Sequence, residues 1–332
     1  MKKITIDDHA ANQRFDRFLR KHFKHTPEIG LGDIFSWIRK WSIKVNRKKS
    51  KQDYRLQIWD IIERDDKILT DKKADKVLQK KVDKIAEIDI NETKKIIIYE
   101  DDNRLVWDKP AHTLIHPGDK HTTDITLHDV MVWYLRQTDQ RNATTTYSPS
   151  FCYRLDKDTS GVVISAKTYE ALQYLNQLIR DRQTQKMYHA ILIWELPKKK
   201  IVVEEPLFVW YNRSTWRSQS FVNRGKWKES RSDFELIEAM RHKTLGTLSL
   251  VKVKIHSGRM HQIRVHAAHI WHPVLGDLTY GSAPANRLAS KKCSITRQLL
   301  HASSYWFFDT FSDTNLTFES RLPREFQELF WA

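Results

Sequence analysis

The stretch Tyr153-Arg154-Leu155-Asp156-Lys157-Asp158-Thr159-Ser160-Gly161-Val162-Val163-Ile164 sets a carboxylate among basic neighbours, then a Thr-Ser-Gly turn signal, then an apolar run too short for a helix. Loop, turn and buried strand follow from that pattern. Asp156 is thereby placed at a sheet edge, where rigid backbone can hold a reactive group. An aspartate with an ordinary pKa of about 3.9 is ionised at neutral pH unless burial raises it, and the carboxylate then serves as nucleophile or as base. The residues alone do not choose between those roles. Asp158 reads as a turn residue. A second candidate is the histidine group His256, His261, His266, His269 and His272, which falls within seventeen residues. Histidine-rich segments bind zinc. These five face different sides of any single helix and no cysteine joins them, so no metal is assigned, and a metal-dependent RNA hydrolase is the weaker alternative.

Several elements must position Asp156. Two short strands, Ile96 to Tyr99 and Leu105 to Trp107, are joined by the polar turn Glu100 to Asn103, and a helix covers Leu127 to Arg136. A polar loop from Thr138 to Ser150 leads into the Asp156 stretch. Beyond it, Leu172, Leu175, Leu178 and Ile179 mark a helix lying over the sheet, and Gln185 to Ile191 is a strand. Val251, Val253 and Ile255 alternate with Lys252 and Lys254 as in a half-exposed strand. That strand runs into Ser257-Gly258-Arg259-Met260-His261-Gln262-Ile263-Arg264-Val265-His266, where Met260, Ile263, Ala267 and Ile270 take up a helical face. Only nine glycines occur, and Gly118, Gly161, Gly258, Gly276 and Gly281 fall in the segments singled out here or in Gly276 to Gly281. With glycine so sparse, each is expected to meet a backbone requirement.

The first part of the chain differs in character. Phe15, Phe18, Leu19 and Phe23 recur at helical spacing with Arg17, Arg20, Lys21 and Lys24 on the other face. A second helix is expected from Asp33, as N-cap, through Ile34, Trp37, Ile38 and Trp41. Ile43 to Asn46 alternates like a strand, Arg47 to Lys51 is a charged turn, and Leu56, Ile58 and Ile61 mark a second strand. Thirteen Lys or Arg against four Asp or Glu lie between Arg14 and Arg55. Without acids to balance it, this surplus points to RNA contact rather than a merely solvated face. From Asp71 to Thr93 lysines and acids alternate with sparse apolar residues, as in a linker.

The Asp156 stretch closely resembles the signature of the RluA-type pseudouridine synthases, His-Arg-Leu-Asp, two variable residues, Thr-Ser-Gly, an apolar run and Ala-Lys, here Ala166-Lys167. Tyr153 replaces the histidine. Four further segments are similar to the family and stand in its order: Lys109-Pro110 with His116-Pro117, the Tyr188 strand, Ser257 to His266 with its Gly276-Asp277 and Tyr280-Gly281 tail, and Arg297 to Ala302. His112 stands where the family has glycine. The resemblance implies the pseudouridine synthase fold, an α+β domain with a mixed, largely antiparallel central sheet flanked by helices. It implies that Asp156 is the catalytic carboxylate, that Arg264 pairs with it and keeps it charged, and that Tyr188 stacks on the flipped base. Arg154 would fill the gap the base leaves, and Ile263 would pack beside it. Arg259 and His261 are expected to touch RNA, and Gly161, Gly258 and Gly276 to form structural turns.

The amino-terminal part is similar to the small alpha-L RNA-binding domain in Arg14 to Leu19, Ile43 to Asn46 and Asp60 to Ile62. Arg47 and Trp59 stand where that domain has glycine. Arg17, Lys21, Arg47, Lys48 and Lys49 are its expected RNA contacts. The domain reading is therefore 1–75 for this small basic α/β domain, 76–93 for a charged linker and 94–332 for the catalytic domain.

A chain of 332 residues has room for two domains, its 40% hydrophobic content is enough for a core in at least one of them, and a surplus of 57 − 41 = +16 charges points to a polyanionic partner. No apolar run approaches the roughly 20 residues of a membrane span, and the first residues lack a signal-peptide core. Cytoplasmic location is expected. Cys152 and Cys293 are read as small apolar fillers in a reducing compartment. The expected activity is isomerisation of uridine to pseudouridine in large-subunit ribosomal RNA, by a monomer, without cofactor or metal. The alternatives are tRNA or mitochondrial RNA as target, and an RNA-holding assembly protein without catalysis.

Overall fold

The computed structural model describes residues 2–7, 10–23, 31–64, 81, 83–85, 87–117, 124–138, 149–212, 217–222 and 228–331. Residues 76–80, 82 and 86 of the expected 76–93 linker, Lys24, Gly118 and residues 139–148 of the Thr138 to Ser150 loop lie outside these residues. The chain divides into a small amino-terminal unit and a large one that begins at Ile88.

In the small unit, β1 (Lys2–Thr5), α1 (Phe15–His22), α2 (Leu31–Arg39), β2 (Ile43–Val45) and β3 (Ile61–Arg64) follow in order, and the sheet runs β1-β3-β2. The helical spacing of α1 places Phe15 and Leu19 in one core with Ile34, Ile38, Ile43, Val45 and Ile62, while Arg17 and Lys21 stay exposed. Two expectations shift. The second helix starts at Leu31, so Asp33 lies inside it rather than capping it, and Trp41 lies beyond its end. The strand expected from Leu56 begins only at Ile61. Residues 57 to 60 make a turn instead, closed by Asp60 N–H to Gln57 O at 3.1 Å. The Asp60 carboxylate accepts from Asn46 Nδ2 at 2.6 Å, the Gln57 amide at 2.8 Å and Tyr54 OH at 3.1 Å, which ties the two turns together.

The large unit is built on a ten-stranded sheet. Its strands are β4 (Ile97–Glu100), β5 (Arg104–Lys109), β6 (Ser150–Phe151), β7 (Ser160–Ala166), β8 (Thr184–Ile193), β9 (Lys200–Val203), β12 (Ser232–His242), β13 (Gly246–Ile255), β14 (Leu300–Asp309) and β15 (Thr314–Glu319). The order is β4-β5-β7-β14-β8-β13-β12-β9, with β6 also on β7 and β15 also on β14. All described pairings in it are antiparallel except β7 with β14, which run parallel where His301 faces Ser160. A separate ribbon pairs β10 (Leu207–Asn212) with β11 (Arg217–Val222).

Both sheet faces are covered, which explains why β7 reads as an unbroken apolar run and is buried throughout. Trp107 and Val163 face α4 (Leu127–Thr138) and α6 (Gln262–His269), with Met131, Ile263 and Ala267 in the same core. Val106, Val162 and Ile164 face α5 (Tyr169–Arg180), whose Thr168 cap accepts from Ala171 N–H at 3.2 Å. Farther along the sheet, Ile191 and Leu250 pack on α7 (Ala283–Cys293) and α8 (Arg324–Trp331) through Ala289 and Phe326. Helix α3 (Ile90–Lys95) begins within the stretch expected to be linker.

At the three positions where glycine is usual, the residue differs and the backbone does not. Arg47, Trp59 and His112 have φ of 61°, 71° and 63°, the left-handed region that favours glycine. Three glycines are sterically required: a Cβ at Gly161 would lie 2.1 Å from Ala302 O, one at Gly276 1.9 Å from Arg297 O, and one at Gly281 2.2 Å from Asp277 O. Gly258 is not such a turn. It has no positive φ, and a Cβ there would meet only Lys186 Nζ at 3.9 Å.

Candidate active site

Asp156 lies on the loop between β6 and β7, and that loop is gripped from several elements. Lys109, at the end of β5, is fully buried and donates its three ammonium protons to Pro110 O, Thr113 O and Lys157 O at 2.8, 2.8 and 2.9 Å. Burial lowers its pKa to about 7, against the pull of Asp158 and Asp156. Arg297 Nη1 donates to Asp158 O at 3.3 Å and Gln298 Nε2 to Thr159 Oγ1 at 2.8 Å. His112 Nδ1 is 2.9 Å from Asp158 Oδ1, so Asp158 anchors the loop. The Lys109 and Arg297 segments thus meet in space because both hold the backbone beside Asp156.

Arg264 enters from the first turn of α6. Its Nη1 donates to Asp156 Oδ2 at 2.9 Å, while Nε and Nη2 fork onto Asp277 at 2.7 and 2.8 Å. Asp277 also accepts the amides of Thr279 and Tyr280 at 2.8 and 3.0 Å. Its side chain is fully buried, and although burial opposes ionisation, Arg264 and these amides hold its pKa below the usual carboxylate value. Arg264 is pushed the other way: burial works against its charge, but Asp277 and then Asp156 raise its pKa. The guanidinium also lies over the Tyr280 ring, 5.1 Å from its centroid. Asp277 is the residue that sequence reasoning missed; the two closely spaced glycines around it were the available signal.

Asp156 itself is different. Its side chain is 22% exposed, and Oδ1 has no hydrogen-bond donor among the described residues; His261 Nε2 is nearest at 3.8 Å. One carboxylate oxygen is thus fixed, and the other accepts no hydrogen bond from the described residues. Tyr188, on β8, is buried beside it: burial first, then the Asp156 charge, raises its phenol pKa, so it stays a neutral hydroxyl at any ordinary pH. Ile263 packs in the adjoining core. Arg154 is exposed two residues away.

The other expected contacts are spread more widely. Arg259 is half-buried and its Nε donates to Glu229 O at 3.3 Å. His261 takes a left-handed backbone at the start of α6 and places Nδ1 2.9 Å from Tyr280 OH. The histidine cluster disperses: His256 pairs with Asp233 at 2.9 Å, and His266 lies against Ser232 and Glu205 O, both at 3.0 Å. Among the described residues no three His, Cys, Asp or Glu side chains group as metal ligands. Arg17, Lys21, Arg47, Lys48 and Lys49 are exposed on the small unit, where Lys49 Nζ lies 4.8 Å from the Trp41 ring centroid. Cys152 and Cys293 are half-buried free thiols. No described helix is long and apolar enough to cross a membrane.

The site thus sets an arginine-held carboxylate beside the one parallel strand pair of the described sheet. Residues 103–269 match the family model described as RNA pseudouridylate synthase. The chain is 32% identical over 311 residues to "Ribosomal large subunit pseudouridine synthase C" of Buchnera aphidicola subsp. Schizaphis graminum, covering 92% of this chain and 88% of the relative. It is 30% identical to the protein of that name in Vibrio vulnificus, covering 92% and 87%. Among solved structures, human RNA Pseudouridylate Synthase Domain Containing 4 aligns with a TM-score of 0.56 and 21% identity over 75% of this chain and 94% of that one, a likeness of fold. The chain belongs to the RNA pseudouridylate synthase family. It is an enzyme that isomerises uridine to pseudouridine.

Proposed function

We propose that this synthase acts on large-subunit ribosomal RNA with Asp156 as its catalytic carboxylate. The observation that carries the proposal is the division of labour on Asp156: Arg264 fixes one oxygen at 2.9 Å and the other accepts no hydrogen bond from the described residues, on a side chain that stays 22% exposed. Isomerisation breaks the bond between uracil N1 and the ribose C1′, turns the base, and joins C5 to C1′ while the C5 proton is lost and N1 gains one. The base must first leave its stack, at a cost of a few kcal/mol. Exposed Arg154 fills the vacated stack with its planar guanidinium. The Tyr188 ring stacks on the extruded uracil, and its hydroxyl is placed to assist proton transfer.

Asp156 attacks or deprotonates from its second oxygen, and Arg264, itself forked onto Asp277, holds the carboxylate in place. The exposed lysines and arginines of the amino-terminal unit hold RNA through phosphate contacts. The naming of similar proteins as ribosomal large-subunit synthases supports the choice of target. The test incubates the purified protein with unmodified stable RNAs and maps pseudouridine by carbodiimide-dependent reverse-transcription stops. New stops in large-subunit RNA are expected. Stops confined to tRNA would reassign the target, and absence of product would overturn the proposal.

A further inference from the structure

Twelve non-glycine residues among those described have a positive φ, and four of them are tryptophan: Trp41, Trp59, Trp194 and Trp271, at 62°, 71°, 69° and 66°. No other residue type occurs there as often. Asparagine, aspartate and histidine tolerate the left-handed backbone, whereas a bulky side chain in it is a true outlier. The remaining described tryptophans, Trp37, Trp107, Trp133, Trp210, Trp306 and Trp331, all lie inside helices or strands, and none has a positive φ. Tryptophan in this chain thus falls into two groups, one in regular structure and one where glycine belongs.

The second group occupies recognisable glycine positions. Trp41 and Trp271 each follow a helix in the Schellman arrangement, whose left-handed residue is usually glycine. After α2, the Trp41 amide donates to Ile38 O at 3.4 Å and that of Ser42 to Trp37 O at 3.0 Å; after α6, the Trp271 amide donates to Ala268 O and that of His272 to Ala267 O, both at 3.0 Å. Trp59 is the third residue of the turn at 57–60, where a positive φ calls for glycine. Trp194 directly follows β8, with its amide donating to Thr247 O and its carbonyl accepting from Ser249 Oγ, both at 2.9 Å.

In all four the backbone is held while the side chain stays half or more accessible: Trp41, Trp59, Trp194 and Trp271 are 51%, 78%, 51% and 82% exposed. Lys49 over the Trp41 ring is an exposed cation–π pair, too weak to require an indole. An aromatic ring that strains its backbone and buries little of itself gains nothing from its place. The chain also has twelve tryptophans and only nine glycines in 332 residues, whereas glycine is usually about 7% of residues.

One cause accounts for both the misplaced tryptophan and the missing glycine. The codon UGA is read as tryptophan in some genetic codes and as glycine in others. We infer that positions 41, 59, 194 and 271 are UGA codons and that the protein made in its own cells carries glycine there. The inference is independent of the reading of Asp156.

Peptide mass spectrometry of protein isolated from those cells is expected to find glycine at 41, 59, 194 and 271. It should find tryptophan at 107, which is fully buried with its Nε1 donating to Ser165 Oγ at 2.9 Å, and at 133, which packs against the same core. Tryptophan at any of the four positions, or a UGG codon there in the gene, would overturn the inference. A second measurement compares the tryptophan form with W41G/W59G/W194G/W271G, both made in one host. The glycine form is expected to melt at the higher temperature, because four residues leave a backbone that disfavours them. A lower melting temperature would also overturn the inference, since the indoles would then be favoured by the fold.

Discussion

Two buried arginines in the large unit each bridge two aspartates, and they differ in what they leave unbound. Arg104 joins Asp101 and Asp309 at 2.9 Å each. There, Asp101 Oδ1 accepts the amides of Asn103 and Arg104 at 2.8 and 2.6 Å, its Oδ2 accepts Tyr99 OH at 3.1 Å, and Asp309 accepts Ser312 Oγ at 2.8 Å. Arg264 joins Asp277, which is saturated, to Asp156, one oxygen of which accepts no hydrogen bond from the described residues. The same charge arrangement is a staple in one place and a reactive group in the other. The difference is access: Asp309 Oδ1 also accepts no hydrogen bond but is sealed against Arg104 Nη1 at 2.9 Å, whereas the Asp156 side chain is partly exposed.

The largest expected effect falls on Arg264. Arg264→Lys keeps the charge but loses the fork that serves two carboxylates, so turnover should fall at least about a hundredfold, as when one oriented donor is removed from an active site, with the circular dichroism spectrum retained. Turnover near wild type would erase the distinction between the two arginines. Asp309→Asn breaks the staple instead. Leaving Arg104 partly uncompensated should cost about 3 kcal/mol in urea denaturation, while turnover per folded molecule stays at the wild-type value. If turnover fell and stability did not, the roles assigned to the two pairs would be reversed.

Much of this contrast could be read from the sequence, for physical reasons. The turn and apolar run after Asp156 fixed its place at the start of β7, because a seven-residue strand buried on both faces needs continuous apolar side chains. The alternation of Val251 to Ile255 marked β13 in the same way. Asp277 and the Lys109 clamp were less legible, because carboxylates and lysines carry no periodic signal and their partners lie far off in the chain. The β10–β11 ribbon was missed as well, since it is not patterned against a core. The strand expected at Leu56 failed because Trp59 takes a left-handed turn that its residue type disfavours.

A smaller effect belongs to that turn. Trp59→Gly should stabilise the protein by about 0.5–1 kcal/mol, the left-handed strain relieved less the entropy glycine brings to the unfolded chain. Thermal melting that shows a loss instead would mean that the exposed ring contributes contacts of its own.

The most direct measurement replaces Asp156 with asparagine, which preserves shape and removes the charge. Carbodiimide mapping of large-subunit RNA treated with Asp156→Asn should show no pseudouridine stops, while urea denaturation shows a protein still folded and anisotropy shows RNA still bound. Stops at wild-type levels would contradict the account at its centre, for then the carboxylate beside Arg264 would not be the reacting group.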